Sequence, residues 1–292
     1  MSLTEGLEHT LRTDEPLAGM TSINLGGNAE YFAQPTTEAE LLELIKRFAE
    51  AGKQIRLIGS GTNVLIPDEG VKGLVIRLDA PEFCQVTVEG NCVTAGGGAK
   101  IVHLIATSAR EGLAGLHNLT GIPGTVGAAL HGNSGTHGFD IGSLVSTATV
   151  ITRAGEIITR NADSMAFSHR KSSLNELVIV RATFELEPDS EERLTHSMQQ
   201  KWIVARSNQT FSDENSLYVF KDYHGEPASD VIDRAGFKGA SLGPVSLSDR
   251  NSNFLVAGST ATSEDVKKLI THVENQVALK LNIELETAVQ IW

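Results

Sequence analysis

The stretch Gly121-Ile-Pro-Gly-Thr-Val-Gly127, running on through Ala128-Ala-Leu-His-Gly-Asn133-Ser-Gly135, most constrains what this chain can fold into. It carries five glycines in fifteen residues, one proline, and no Asp, Glu, Lys or Arg. A surface loop of that length ordinarily holds more polar residues. Glycines this dense let backbone approach a partner closely, because no Cβ intervenes. Successive N–H groups in such a turn can converge on an anion. A tight buried turn between packed elements explains the composition equally well by itself. What favours a ligand is a second glycine loop, Gly59-Ser-Gly-Thr-Asn63, about sixty residues upstream. Two such loops suit a long ligand with phosphates and a ring.

The first of these loops follows a strand–helix–strand pattern. Ala29–Ala33 reads as a short strand, preceded by Ile23-Asn-Leu-Gly-Gly27. Thr37 and Glu38 then suit a helix start. Ala39, Leu42, Ile45, Phe48 and Ala49 recur at helical spacing, and Gly52 suits the C-cap. Ile55–Ile58 is a strand, and the loop from Gly59 lies at its C-terminal end, where open α/β sheets bind ligands. The loop is neither Gly-x-Gly-x-x-Gly opening a helix nor a Walker loop, since no Gly-Lys-Ser/Thr follows.

Beyond it, Leu74–Leu78 and two short strands within 83–95 precede Ala95-Gly-Gly-Gly-Ala99. A helix from about Lys100 to Arg110 places Ile101, Leu104, Ile105 and Ser108 on one face. After the central glycine stretch, a hairpin over 144–159 turns at Ala154-Gly155. Val178–Leu186 is a long strand. Glu191 to about Ser207 reads as a helix and Asn208 to Asn215 as a polar loop. Val231–Ala235 is a short helix, Phe254–Ala257 a strand, Ser263 to about Leu279 a capped helix, and Ile283–Trp292 a closing strand. Residues 1–20 read as a polar, irregular arm.

Composition narrows the partners. The net charge is −12 without any run of Lys or Arg, which argues against nucleic acid and anionic membrane surfaces. Glycine loops can still bind an acidic small molecule against that global charge. Cys84 and Cys92 are the two cysteines, so no disulfide framework is implied. With no signal-peptide pattern and no apolar run of spanning length, the expectation is a soluble cytoplasmic protein. No metal site is expected.

Taken in order, Ile23-Asn-Leu-Gly-Gly27, Gly59-Ser-Gly-Thr-Asn-Val-Leu65, Gly121-Ile-Pro-Gly-Thr-Val-Gly127 with Asn133 and Gly135, and Val219-Phe-Lys221 resemble the UDP-N-acetylenolpyruvoylglucosamine reductase family of peptidoglycan synthesis, in its shorter type. The resemblance spans roughly Ile23 to Ile291. It implies an α+β chain with an FAD-binding domain of the vanillyl-alcohol-oxidase-like type, made of two α/β subdomains, and a C-terminal α/β substrate domain. The corresponding boundaries are an arm over 1–20, the FAD-binding domain over 21–188 (subdomains about 21–79 and 80–188), a substrate-binding domain over 189–282 and a closing strand over 283–292. FAD would be held by Gly59, Ser60, Gly61, Thr62, Asn63, Gly98, Gly121, Ile122, Pro123, Gly124, Thr125, Gly127, Asn133 and Gly135. Lys221 and Asn253 match polar family positions and are candidates for contact with a UDP-sugar-type substrate. NADPH would reduce the flavin, which gives hydride to an enolpyruvyl double bond.

That reaction needs a cation for the developing enolate, an acid to protonate carbon, and a carboxylate supporting the proton transfer. Arg170, in Phe167-Ser-His-Arg-Lys-Ser172, matches the family's cation, with His169 where the family has tyrosine. Counted without a gap from Gln209, Tyr218 stands at the family's serine acid, in Ser216-Leu-Tyr-Val-Phe-Lys-Asp222. Ala288, in Leu285-Glu-Thr-Ala-Val289, stands at its glutamate. Two readings follow: a reductase of this family, impaired or rewired around Arg170 and Tyr218, or an FAD-binding homologue without the family reaction that regulates, scaffolds or serves another acceptor. A relic that no longer binds FAD is disfavoured by the uninterrupted glycine loops.

Overall fold

The computed structural model describes residues 3–136, 138–208 and 215–292. Contacts divide the chain into two compact units. The first comprises residues 1–15, 30–59 and 72–205; the second comprises 16–29, 60–71 and 206–292.

The first unit is built on two larger sheets. One has the strand order Leu11–Pro16, Asn28–Ala33, Val71–Ile76, Ile55–Leu57, the last two strands running parallel. The helix Glu38–Glu50 buries Leu41, Leu44, Ile45 and Phe48 in a core shared with Ile55, Leu74 and Ile76. Thr37 caps it by accepting from the Glu40 N–H, and the chain leaves it through Gly52, with Gly52 N–H on Ala49 O and Lys53 N–H on Phe48 O. The expected face holds at Ile45 and Phe48 but is shifted elsewhere: Ala39 and Ala49 are exposed and Leu42 half-buried, while Leu41 and Leu44 are buried. An alanine offers too little surface to compete with leucine for the core.

The other sheet is antiparallel, in the order Ile157–Asn161, Val145–Ile151, Val178–Glu185, Cys92–Gly96, Val86–Glu89. The helices Ile101–Arg110 and Val126–His131 share its core through Ile101, Leu104, Ile105, Val126, Ala129 and Leu130. The expected face of the 101–110 helix is therefore the buried one, with His103 exposed. Cys84 lies in a short helix, Pro81–Cys84, rather than in a strand, and both cysteines are free and half-buried.

In the second unit the strands Ser216–Tyr218, Phe254–Ala257, Val245–Leu247 and Ser241–Leu242 form an antiparallel sheet in that order. The helices Ala228–Arg234 and Ser263–Leu281 pack with it around Val231, Ile232, Val266, Leu269, Ile270, Val273 and Val277. Thr262 and Asp265 form a reciprocal capping box at the start of the second helix.

Two expected elements differ. The N-terminal arm contains the strand Leu11–Pro16, whose polar residues face solvent at a sheet edge. The closing strand shrinks to Gln290–Ile291, parallel to Val64–Leu65, because the preceding residues meet the segment 219–221 in an isolated bridge, Phe220 with Thr287, instead of a ladder. The expected loop 208–215 falls largely on 209–214, outside the described residues, as does Gln209.

The Glu40 carboxylate accepts from the Thr36 N–H, the Thr36 hydroxyl and His9 Nε2. These bonds, the Thr36 amide first, lower its pKa from 4.5 to about 2. An unfolded Glu takes up its proton at higher pH, so the stabilisation is complete above about pH 4.5 and is lost as pH falls towards 2. Glu40→Gln should flatten the acid limb of the stability profile in that window while leaving its shape near neutrality unchanged. Thermal melts of both proteins across the acid range check this.

Candidate functional site

In the first unit the Gly121–Gly127 loop joins a single helical turn, Leu116–Leu119, to the helix Val126–His131. Its amides divide into two sets. Those of Ile122, Val126 and Gly127 donate to Leu119 O, Ala99 O and Gly97 O, and so belong to the fold. Those of Gly121, Gly124 and Thr125 meet no acceptor among the described residues. Pro123 has no N–H to give.

Gly59 reaches this same loop. A Cβ added there would lie 2.6 Å from Thr125 Oγ1 and 3.5 Å from Ala128 Cβ, so the chain just after the Ile55–Leu57 strand runs directly against Thr125. The two glycine segments are thus brought together at Gly59 and Thr125. Three uncommitted amides beside a backbone cleared of side chains suit a pyrophosphate, and these residues fit the phosphate-bearing part of FAD.

Other predicted residues of this unit have tasks within the fold. Gly98 donates to Phe83 O, and a Cβ on it would fall 1.8 Å from Leu78 O. Gly135 lies in a two-residue strand against Phe139–Asp140, where a Cβ would meet Phe139 O at 2.4 Å. The Asn133 side chain, almost fully buried, donates from Nδ2 to Ser168 O at 2.9 Å and accepts at Oδ1 from Gly142 N–H at 3.1 Å. Arg170 is half-buried, in the two-residue loop of the hairpin Phe167–Ser168/Lys171–Ser172, at φ +54°. A bulky side chain in that left-handed region is strained.

In the second unit, Ser60 and Thr62 are half-buried, and Gly61 packs where a Cβ would strike Met20 O. Asn63 donates from Nδ2 to Ala288 O at 2.9 Å, and its carbonyl accepts from Gln290 N–H, so its amide ties the end of the chain in place. Tyr218 is half-buried at the end of its strand, pairs with Phe254 in register, and meets the Phe254 ring edge-on at 5.3 Å. The next residue, Val219, accepts from the Ala288 N–H at 2.7 Å. The positions of Tyr218 and Ala288 are therefore separated by one residue and one backbone hydrogen bond.

Lys221 Nζ lies 2.9 Å from Glu286 Oε2. Glu286, two residues from Ala288, is consequently engaged with a lysine. Asn253, also buried, accepts from Phe220 N–H and donates to Phe220 O, both at 2.8 Å. Its amide is taken up by backbone on both sides, so the structure shows a brace for the segment leading to Lys221.

The sequence profile of the UDP-N-acetylenolpyruvoylglucosamine reductase C-terminal domain matches residues 196–292, and that of an FAD binding domain matches 29–161. A UDP-N-acetylenolpyruvoylglucosamine reductase of Rhodopirellula baltica is 36% identical over 289 residues, covering 99% of this chain and 94% of the relative. The chain belongs to the UDP-N-acetylenolpyruvoylglucosamine reductase family. The Bacillus subtilis reductase is 31% identical over 281 residues, covering 95% of this chain and 92% of the relative. The crystal structure of the Thermus caldophilus reductase superposes with a TM-score of 0.81 at 29% identity, covering 97% of this chain and 98% of that one. The chain is thus α+β, with an FAD-binding domain of the vanillyl-alcohol-oxidase-like type.

Within this reductase family fold, sequence reasoning missed Gly142, Ser168 and Ser172. Ser172 Oγ donates to His131 O at 2.9 Å, and a Cβ on Gly142 would overlap the Phe167 ring. No spacing connects these residues to Asn133, because they meet only through the fold. Among the described residues no cluster of His, Cys, Asp and Glu could hold a metal ion, and no helix is long and apolar enough to cross a membrane.

Gly98→Ala should destabilise the protein by about 3 kcal/mol, at the upper end of overpacking costs, since the obstructing atom is backbone. Gly90→Ala, in an open turn at φ +59°, should cost only about 1 kcal/mol. Denaturant midpoints of the two variants distinguish a packing glycine from a turn glycine.

Proposed function

We propose that this chain binds FAD and, with NADPH as electron donor, reduces an enolpyruvyl sugar nucleotide of the UDP type by a route altered at the proton-donating step. When bound, FAD would pass hydride from NADPH to one end of the enolpyruvyl double bond. The amides of Gly121, Gly124 and Thr125 would hold the pyrophosphate. The Arg170 guanidinium stabilises the enolate that develops as hydride adds. The Tyr218 O–H gives the proton to the other carbon, so hydride and proton together saturate the bond. Lys221 offers its charge to the phosphates of the substrate.

The observation that carries this reading is the adjacency of the two altered positions. Supporting it, the phenol of Tyr218 and the methyl of Ala288 lie on neighbouring positions across the Val219–Ala288 hydrogen bond, where the proposed route needs an acid and its supporting group. A donor remains, but the group supporting it does not. The expected consequence is slow turnover, since a general acid or base contributes on the order of 10²–10⁴ in rate. A second reading, an FAD-binding homologue that regulates, scaffolds or serves another acceptor, is favoured by Glu286: the carboxylate nearest in sequence to Ala288 is paired with Lys221.

Anaerobic stopped-flow absorbance of the FAD-loaded protein separates the readings. NADPH should bleach the flavin band, and UDP-N-acetylenolpyruvoylglucosamine should restore it. Tyr218→Phe should leave the bleaching rate unchanged and slow the recovery by about 10²–10⁴. A flavin that stays reduced in the parent protein would sink the reductase reading and leave the second. A Tyr218→Phe protein that recovers at the parent rate would remove Tyr218 from the chemistry.

A further inference from the structure

The strained Arg170 turn is gripped from both sides by the segment that ends the glycine-loop helix. On one side, Asn133 Nδ2 donates to the carbonyl of Ser168, two residues before Arg170. On the other, the hydroxyl of Ser172, two residues after Arg170, donates to the carbonyl of His131. His131 Nδ1 also lies 3.0 Å from Leu174 O, further along the same chain. Residues 131–133 therefore hold the hairpin at two points and the chain just beyond it at a third. The Asn133 Oδ1 is fixed in turn by Gly142 N–H, and Gly142 sits so close to the Phe167 ring that a Cβ would fall 2.4 Å from it.

Asn133 suits this task. It is only 2% exposed, and its backbone lies at φ +43°, a region Asn tolerates better than most residues. Its amide oxygen and one of its two N–H donors are engaged with backbone. A two-residue hairpin loop with a cation at a left-handed φ would otherwise exchange among conformers, since strain of this kind persists only where the surroundings over-determine it.

We propose that Asn133, with Ser172 as its counterpart, is a positioning residue for Arg170: the end of the glycine-loop helix sets the turn that aims the guanidinium. The catalytic consequence rests on the reductase reading above; the mechanical one does not. Because the same helix begins at the glycine loop, the brace ties the cation's turn to the backbone proposed to hold the flavin's pyrophosphate.

The test uses the full-length protein and the variants Asn133→Ala, Ser172→Ala, Arg170→Ala and Asn133→Ala/Arg170→Ala. Labelling by phenylglyoxal without FAD, followed by peptide mass analysis, reads the Arg170 turn directly. Asn133→Ala and Ser172→Ala should each change the Arg170 labelling rate severalfold while leaving Arg56 and Arg153 unaltered. With FAD, titration should show flavin affinity and the NADPH bleaching rate within about twofold of the parent, and recovery on the enolpyruvyl substrate slowed about 10–100-fold, the range for a misplaced catalytic group. The double variant should be no slower than Arg170→Ala, because residues acting as one unit are non-additive.

An unchanged labelling rate in both single variants would overturn the proposal. So would additive losses, or a loss of flavin affinity in Asn133→Ala without a change in recovery, which would make Asn133 a cofactor ligand. Should Asn133→Ala fail to fold, Ser172→Ala carries the same labelling test from the opposite flank. A parent protein that does not recover on the substrate would end the reductase reading, while the labelling would still decide whether the brace exists.

Discussion

Backbone packed directly on backbone at Gly96–Gly98 is the constraint on which the flavin-binding unit depends. A Cβ at these positions would fall 2.1 Å from Phe83 O, 2.0 Å from Ile179 O and 1.8 Å from Leu78 O in turn. The same run donates from Gly97 to Val180 O and from Gly98 to Phe83 O, while Gly97 O receives the Gly127 amide. A side chain here would push apart the strands on either side and the glycine-loop helix with them. Close packing leaves no slack to absorb that displacement. The far end of the Gly121–Gly127 loop is thereby hydrogen-bonded to a rigid floor.

Asparagine does comparable work at the sites where chemistry is proposed. Asn133, Asn63 and Asn253 each present a primary amide that imitates a peptide group, and each uses it on main chain: Ser168 and Gly142, Ala288, and Phe220 respectively. Buried backbone groups outside regular ladders must find partners, and the segments carrying Arg170, Lys221 and Ala288 are short or irregular. An Asn side chain can satisfy a donor and an acceptor at once. Such residues support the reacting groups while touching main chain, so variation at them alters geometry rather than charge.

The two units embody different degrees of change. In the first, the glycine loops retain uncommitted amides and the Arg170 turn is firmly held. In the second, the fold retains its sheet and its helices with their capping box, while the residues proposed at the proton-transfer step, Tyr218 and Ala288, are a phenol and a methyl group. Folding constrains positions 218 and 288 mainly through backbone pairing, which any side chain permits. Those positions can drift without loss of structure, whereas Gly98 cannot.

Much of the fold was legible in the sequence. The helix at Ile101–Arg110 announced both its ends and its buried face, because four of its core residues recur at a period of 3.6. The hairpin turn at Gly155, the Ser263–Leu281 helix and the two glycine loops were equally clear. Order and spacing of short motifs also settled family membership and FAD binding as a class, since they record a shared chain path. Tertiary structure alone decided which leucines of the Glu38–Glu50 helix face inward, that the segment before Gln290 meets 219–221 through an isolated bridge rather than a ladder, and which glycines serve packing. It alone separated the amides of Gly121, Gly124 and Thr125 from those of Val126 and Gly127, and brought the Asn133 side chain onto Ser168 and Gly142. The physical reason is common to all of these: whether a polar group is available depends on which distant carbonyl lies within 3 Å of it, and no local period or motif encodes that distance.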